Sequence, residues 1–139
     1  MRYCAMSKYL VKGNEIFNGK IPRYEGTILY DSSIGNTGTI TLSDSSANYS
    51  YLEIYFYTND GWQYKGYQKC MLEGTNTTYH TLIATWTSTS GACYFKAKNI
   101  SISGNTISNT GYAEVSLSGG APTTTASNTL YIRKVLGYK

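Results

Sequence analysis

Charge is scarce in this sequence: Asp, Glu, Lys and Arg make up 14% of its 139 residues. No run of about 18 apolar residues occurs, so no helix is expected to span a membrane. The opening Met1-Arg2-Tyr3-Cys4-Ala5-Met6-Ser7-Lys8 has no apolar stretch behind its charge, and a secretory signal is not expected either. Ala, Leu, Glu and Lys are too sparse for a helical bundle. Histidine occurs once, as His80, and Cys4, Cys70 and Cys93 form no C-x-x-C pair. A structural zinc needs four closely spaced ligands, so no metal site is read, and no cofactor motif is found.

The charges that are present leave a small surplus, 12 Lys and Arg against 8 Asp and Glu. Arg133, Lys134 and Lys139 crowd the C-terminus, whereas Lys65, Lys69, Lys96 and Lys98 stand singly. A nucleic-acid surface would gather such residues on one face. The surplus is therefore read as serving solubility, with no nucleic-acid partner. A Cys70–Cys93 bridge between neighbouring strands is conceivable. Free thiols are the expectation for a chain without a signal, folding in a reducing cytoplasm.

What the sequence does hold is Thr, Ser, Gly and Asn, together with 15 Tyr set against 3 Phe and 2 Trp. Such aromatic and β-branched content is too high for disorder. Tyr51-Leu52-Glu53-Ile54-Tyr55-Phe56-Tyr57 alternates strictly, with Leu52, Ile54 and Phe56 facing a core. Tyr51, Glu53, Tyr55 and Tyr57 then form a face whose hydroxyls water can wet. Asn59-Asp60-Gly61 supplies hairpin chemistry, and a returning strand carries Trp62, Tyr64 and Tyr67 to about Leu72. Further strands are read at 27–30, 39–42, 81–87, 93–102, 112–117 and 130–138. Turn sequences separate them, among them Ser32–Gly38, Ser88–Gly91, Ser103-Gly104-Asn105 and Ser118–Pro122. Turns about every ten residues predict an all-β domain over 23–139, an antiparallel sandwich or jelly roll. Residues 1–22 read as a connector or N-terminal arm.

Chemistry is thinly represented. His80 has no local nucleophile or acid to complete a triad. Among the carboxylates, Glu53 and Glu73 could approach each other as a glycosidase pair, but solvated strand-face charges account for them equally. No catalytic residue is assigned and no enzyme is expected. Three Asn-x-Ser/Thr matches, at Asn48, Asn76 and Asn99, are of the kind this composition produces by chance. The hairpin aromatics stand above that background. Tyr55, Tyr57, Trp62 and Tyr64 could stack on the C–H faces of a sugar, with Asp60 and Gln63 as hydroxyl partners. Strand packing or a subunit interface is the competing account of the same rings.

Thr39 through Phe56, with Leu29-Tyr30-Asp31 before it, resembles a segment of phage tail and minor structural proteins of Gram-positive bacteria and their prophages. Leu130 through Lys139 is similar to the closing strand of the same group. The resemblance implies a tail or fibre module in the virion tail, commonly a homotrimer, that touches the host surface and often binds cell-surface polysaccharide. It fixes no binding residue by position. The alternatives are a carbohydrate-binding or adhesive β-sandwich of a bacterial surface protein and a purely structural virion part without a ligand. Neighbouring tail or lysis genes, as against a cell-wall anchor, would separate the first two.

Overall fold

Two antiparallel sheets packed face to face are what the alternation demands, since each strand offers one apolar face that must be covered. The structure is a computed structural model that describes residues 26–58, 65–87 and 91–139. The strands are β1 (Thr27–Asn36), β2 (Ile40–Thr41), β3 (Tyr51–Thr58), β4 (Lys65–Met71), β5 (Thr78–Thr87), β6 (Cys93–Ser103), β7 (Thr106–Leu117), β8 (Thr123–Thr125) and β9 (Leu130–Tyr138). One sheet has the order β1-β9-β3-β4, and the other β2-β7-β6-β5 with β8 added on β7. The fold is thus the all-β sandwich read from the sequence. Among the described residues no helix is long and apolar enough to cross a membrane.

β3 shows why the first sheet holds its register. Leu52 and Ile54 are fully buried and Phe56 nearly so, while Tyr51, Glu53, Tyr55 and Tyr57 lie half-buried on the opposite face. Burying three such side chains is worth about 1.5–3 kcal/mol each, and a one-residue slip would forfeit all of it. The C-terminal strand β9 does not close an edge. It lies between β1 and β3 and pairs with both. Its bulge opposite Tyr55 and Phe56 puts both Arg133 and Lys134 outside while keeping Ile132 and Val135 in the core.

The chain changes sheets between β2 and β3 through a short 3₁₀ turn at Ser46–Asn48. Asp44 organises this corner, accepting hydrogen bonds from the Ser45 amide at 2.7 Å, Asn48 Nδ2 at 2.9 Å and the Tyr49 hydroxyl at 3.0 Å. These donors hold the Asp44 carboxyl below the usual range, the Ser45 amide contributing most. Backbone bonds from Leu42 and Ser46 to Asn105 and Gly104 tie the corner to the β6–β7 turn, where Gly104 takes the left-handed conformation. Ser50 then donates to Tyr138 on the other sheet.

Several expectations need correction. Ser32–Asn36, read as a turn, continues β1 past an irregularity to pair Asn36 with Ile132. β7 begins at Thr106 rather than Tyr112, and β8 was not foreseen. Cys70 and Cys93 are not on neighbouring strands. They belong to different sheets, and both are free thiols. The lysine surplus does not all serve solubility: Lys96 and Lys98 are 2% and 1% exposed, inside the sandwich. Residues 1–22, the expected connector, lie outside the described residues.

Each buried lysine has a partner. Lys96 Nζ lies 3.1 Å from a Glu114 carboxylate oxygen, donates to the Thr129 hydroxyl and stands 5.5 Å from the centre of the Trp86 ring. Lys98 Nζ donates to the Thr37 carbonyl at 2.6 Å. Burial brings the Lys98 pKa down from the ordinary 10.5 to about 8.

Two predictions follow from this interior. A methyl group on Gly137 would stand 2.6 Å from Tyr49 Cδ1 and 2.8 Å from Leu29 Cδ1. Gly137→Ala should therefore lower stability by about 1–3 kcal/mol in urea melts. The second concerns pH. Between about pH 8 and the ordinary lysine value of 10.5, the unfolded chain holds a proton that folded Lys98 has released. Stability contributed by this group accordingly rises with pH through that window. Cys70 opposes it, because burial pushes its thiol from 9.0 up to about 12, so unfolding releases a proton above pH 9. Wild-type stability should climb from about pH 8 to about pH 9 and then stop climbing, and Lys98→Met should abolish the climb.

Candidate functional site

Cross-strand pairing on the outer face of the first sheet turns alternating tyrosines into a ladder. Tyr55 lies opposite Tyr67 of β4, Tyr57 opposite Tyr131 of β9, and Tyr51 opposite Tyr138. All three pairs stack, with ring centres 5.6, 5.2 and 4.7 Å apart. Directly opposed aromatics are among the cross-strand pairs that stabilise a sheet.

The ladder is not uniform along its length. At one end Tyr51 is covered on both sides, by the Tyr138 ring and by Lys69 Nζ at 3.7 Å from the ring centre. Glu53 accepts from the hydroxyls of both Tyr55 and Tyr138 on the same carboxylate oxygen, at 3.0 Å each. Burial first, and the Glu53 carboxylate second, push the Tyr138 phenol up to about 12 and raise that of Tyr55. Toward the other end the surface opens. Tyr67 is 64% exposed, and an open cleft of about 310 Å³ is bounded by Asp31, Tyr55, Phe56, Tyr57, Gly66, Arg133 and Lys134. The Tyr57 hydroxyl donates to the Ile34 carbonyl, which fixes its ring against the tail of β1. Lys134 Nζ sits 3.8 Å from an oxygen of its cross-strand neighbour Asp31, and Arg133 is exposed beside it.

Of the expected site, Tyr55 and Tyr57 lie on this face, at the cleft. Asp60, Trp62, Gln63 and Tyr64 lie outside the described residues. Reading hairpin by hairpin missed Tyr131, Arg133 and Lys134, because nothing local says that β9 inserts beside β3. Alternation within β9 itself, with Leu130 and Ile132 in and Tyr131 and Arg133 out, was the available signal. His80 is half-buried, its Nε2 3.0 Å from the Met71 carbonyl oxygen. Glu53 is engaged by tyrosines rather than facing a second carboxylate. Among the described residues no three His, Cys, Asp or Glu side chains converge as a metal site would require.

The face can offer apolar ring surfaces, hydroxyl acceptors and a mixed-charge rim at one cleft. That combination suits contact with a hydroxylated ligand. Neither a protein-family model nor a curated protein matches this chain.

The Glu53 cluster gives a direct spectroscopic check. Glu53→Gln should lower the highest phenolate transition in a UV titration without bringing it back to 10, because burial is the larger cause and remains. Tyr138→Phe should remove that transition.

Proposed function

We propose that the chain is a tail or fibre module of a phage or prophage of Gram-positive bacteria, a homotrimer that contributes to host-surface attachment by weak binding of cell-surface polysaccharide. The attachment reading rests on one observation above the rest, the tyrosine ladder ending in an open cleft beside Tyr55, Tyr57 and Tyr67. Sugars present C–H faces to such rings, and Asp31, Arg133 and Lys134 at the rim can meet hydroxyls or substituents. The tail-protein part rests on the resemblance of the Thr39–Phe56 and Leu130–Lys139 segments. Binding at a single face would be weak, and several copies on one particle would strengthen it where host glycans are spaced to match.

A purely structural role has its own support. Each ring of the ladder already stacks on another, and the Tyr55, Tyr57 and Tyr138 hydroxyls donate within the domain. A glycan array on the assembled protein separates the two readings. The attachment reading expects hits that Tyr67→Ala weakens by about fivefold, on the order of 1 kcal/mol for one stacked ring, while the melting transition stays cooperative and shifts by no more than the loss of one stacked pair. Trp62→Ala should act in the same direction if the neighbouring hairpin contributes. No hit from the wild-type array leaves the structural reading.

A further inference from the structure

The two outer faces of the sandwich differ in kind. The first sheet carries Asp31, Glu53, Lys69, Arg133 and Lys134 on its exterior. On the second sheet, β5, β6 and β7 align in register so that five cross-strand rows point outward, from Tyr79–Ser101–Ser108 at one end to Thr87–Cys93–Leu117 at the other. None of these rows contains Asp, Glu, Lys, Arg or His. The middle row, Ile83–Ala97–Ala113, and the next, Thr85–Phe95–Val115, are almost wholly apolar. Ile83 is 54% exposed, and Phe95 and Leu117 are 41% exposed. The charged side chains of the same strands, Lys96, Lys98 and Glu114, sit on the opposite side of the sheet.

We propose that this uncharged outer face of β5–β6–β7 is an interface with a second copy of the same chain. Charge decides the occupant. A copy presenting the same face brings no charge to be stripped of water. A copy presenting the tyrosine face would have to strip water from Arg133 and from the Asp31–Lys134 pair against apolar groups that offer them nothing in return. The contact is therefore isologous, sheet on sheet at about 10 Å, and joins chains in pairs, whereas the proposed trimer would close through other surfaces. Its extent is sufficient. Three strands about 4.8 Å apart and about ten residues long, at about 3.4 Å per residue, cover roughly 500 Å². Two copies then bury roughly 1,000 Å², the lower limit for a specific interface, and the uncharged β8 adds to it. Stacking on this side leaves the tyrosine face free, so the inference does not depend on the saccharide reading.

The test is self-association of the full chain by light scattering coupled to size exclusion at about 100 μM. The wild type should run at twice its monomer mass of 15.4 kDa, or at six times that mass where the proposed trimer also forms. Ile83→Glu and Phe95→Glu should each weaken association by about tenfold or more, because symmetry places every new charge against the contact twice. Tyr67→Ala on the other sheet should leave association unchanged. Ala97→Cys is a conservative probe at the centre of the face. In a background of Cys4→Ser and Cys93→Ser it should form a covalent dimer under mild oxidation or with a short bis-maleimide. A monomeric wild type, or an oligomer that neither Glu substitution disturbs and Ala97→Cys does not cross-link, overturns the proposal. The second result would put the contact on another surface. A wild type that associates but gives no hit on the glycan array would count against the attachment reading alone.

Discussion

The unbroken alternation of β6 is the constraint on which most of the molecule depends. β6 pairs with β5 over ten consecutive residues without a shift, from Thr87 opposite Cys93 to Thr78 opposite Ile102. Ile100 and Ile102 are among the least exposed side chains in the protein and anchor one end of the strand in the core. With no bulge to reset the phase, Lys98, Lys96 and Tyr94 must follow them inward, and Asn99, Ala97, Phe95 and Cys93 must face out. The interior thereby acquires two cations, and the exterior of this sheet loses the charges that would have kept it apart from other surfaces.

The rest of the sandwich accommodates those cations. Glu114 lies directly opposite Lys96 on β7 and supplies its counter-charge, with Thr129 completing the contact ahead of β9. The Thr37 carbonyl, in the connection between β1 and β2, is the acceptor for Lys98. A paired buried ion contributes little net stability over an apolar replacement, whereas losing one partner costs several kcal/mol. The lysines thus add little to the total stability and instead penalise any arrangement that leaves them unpartnered. β7 bears the adjustment. Its register shift opposite Asn99 and Ile100 lets Ile107 enter the core near the β6–β7 turn while Glu114 still meets Lys96 further along.

Much of this was legible in the sequence, and the limits are physical. β3 could be read to the face of each residue because polar and apolar groups alternate without exception from Tyr51 to Tyr57. β6 could not. In Tyr94-Phe95-Lys96-Ala97-Lys98, every local preference sends the lysines out and Phe95 in, and only the distant isoleucines reverse it. β9 was found with its observed bounds, but its place between β1 and β3 depends on long-range pairing that leaves no local trace. The candidate site suffered accordingly. Tyr55 and Tyr57 were visible from their own strand, while Tyr131, Arg133 and Lys134 became neighbours only through that insertion.

The same topology explains why the two faces could take up different work. A sandwich needs one inner face per sheet and leaves the outer faces to be specified independently. On the first sheet the outer positions fall on three neighbouring strands, β4, β3 and β9, each contributing tyrosine, so paired rings are rigidly spaced and Glu53 can hold two hydroxyls at once. Rings fixed by stacking and hydrogen bonds lose little freedom on meeting a ligand, which favours contact through ring faces over contact through flexible side chains. On the second sheet small and apolar residues make a flat surface with no charge to orient a polar ligand, and such a surface favours another flat surface. Recognition of a polar molecule and packing against a second domain make opposite demands on a sheet face, and the two outer faces of this sandwich differ along that line.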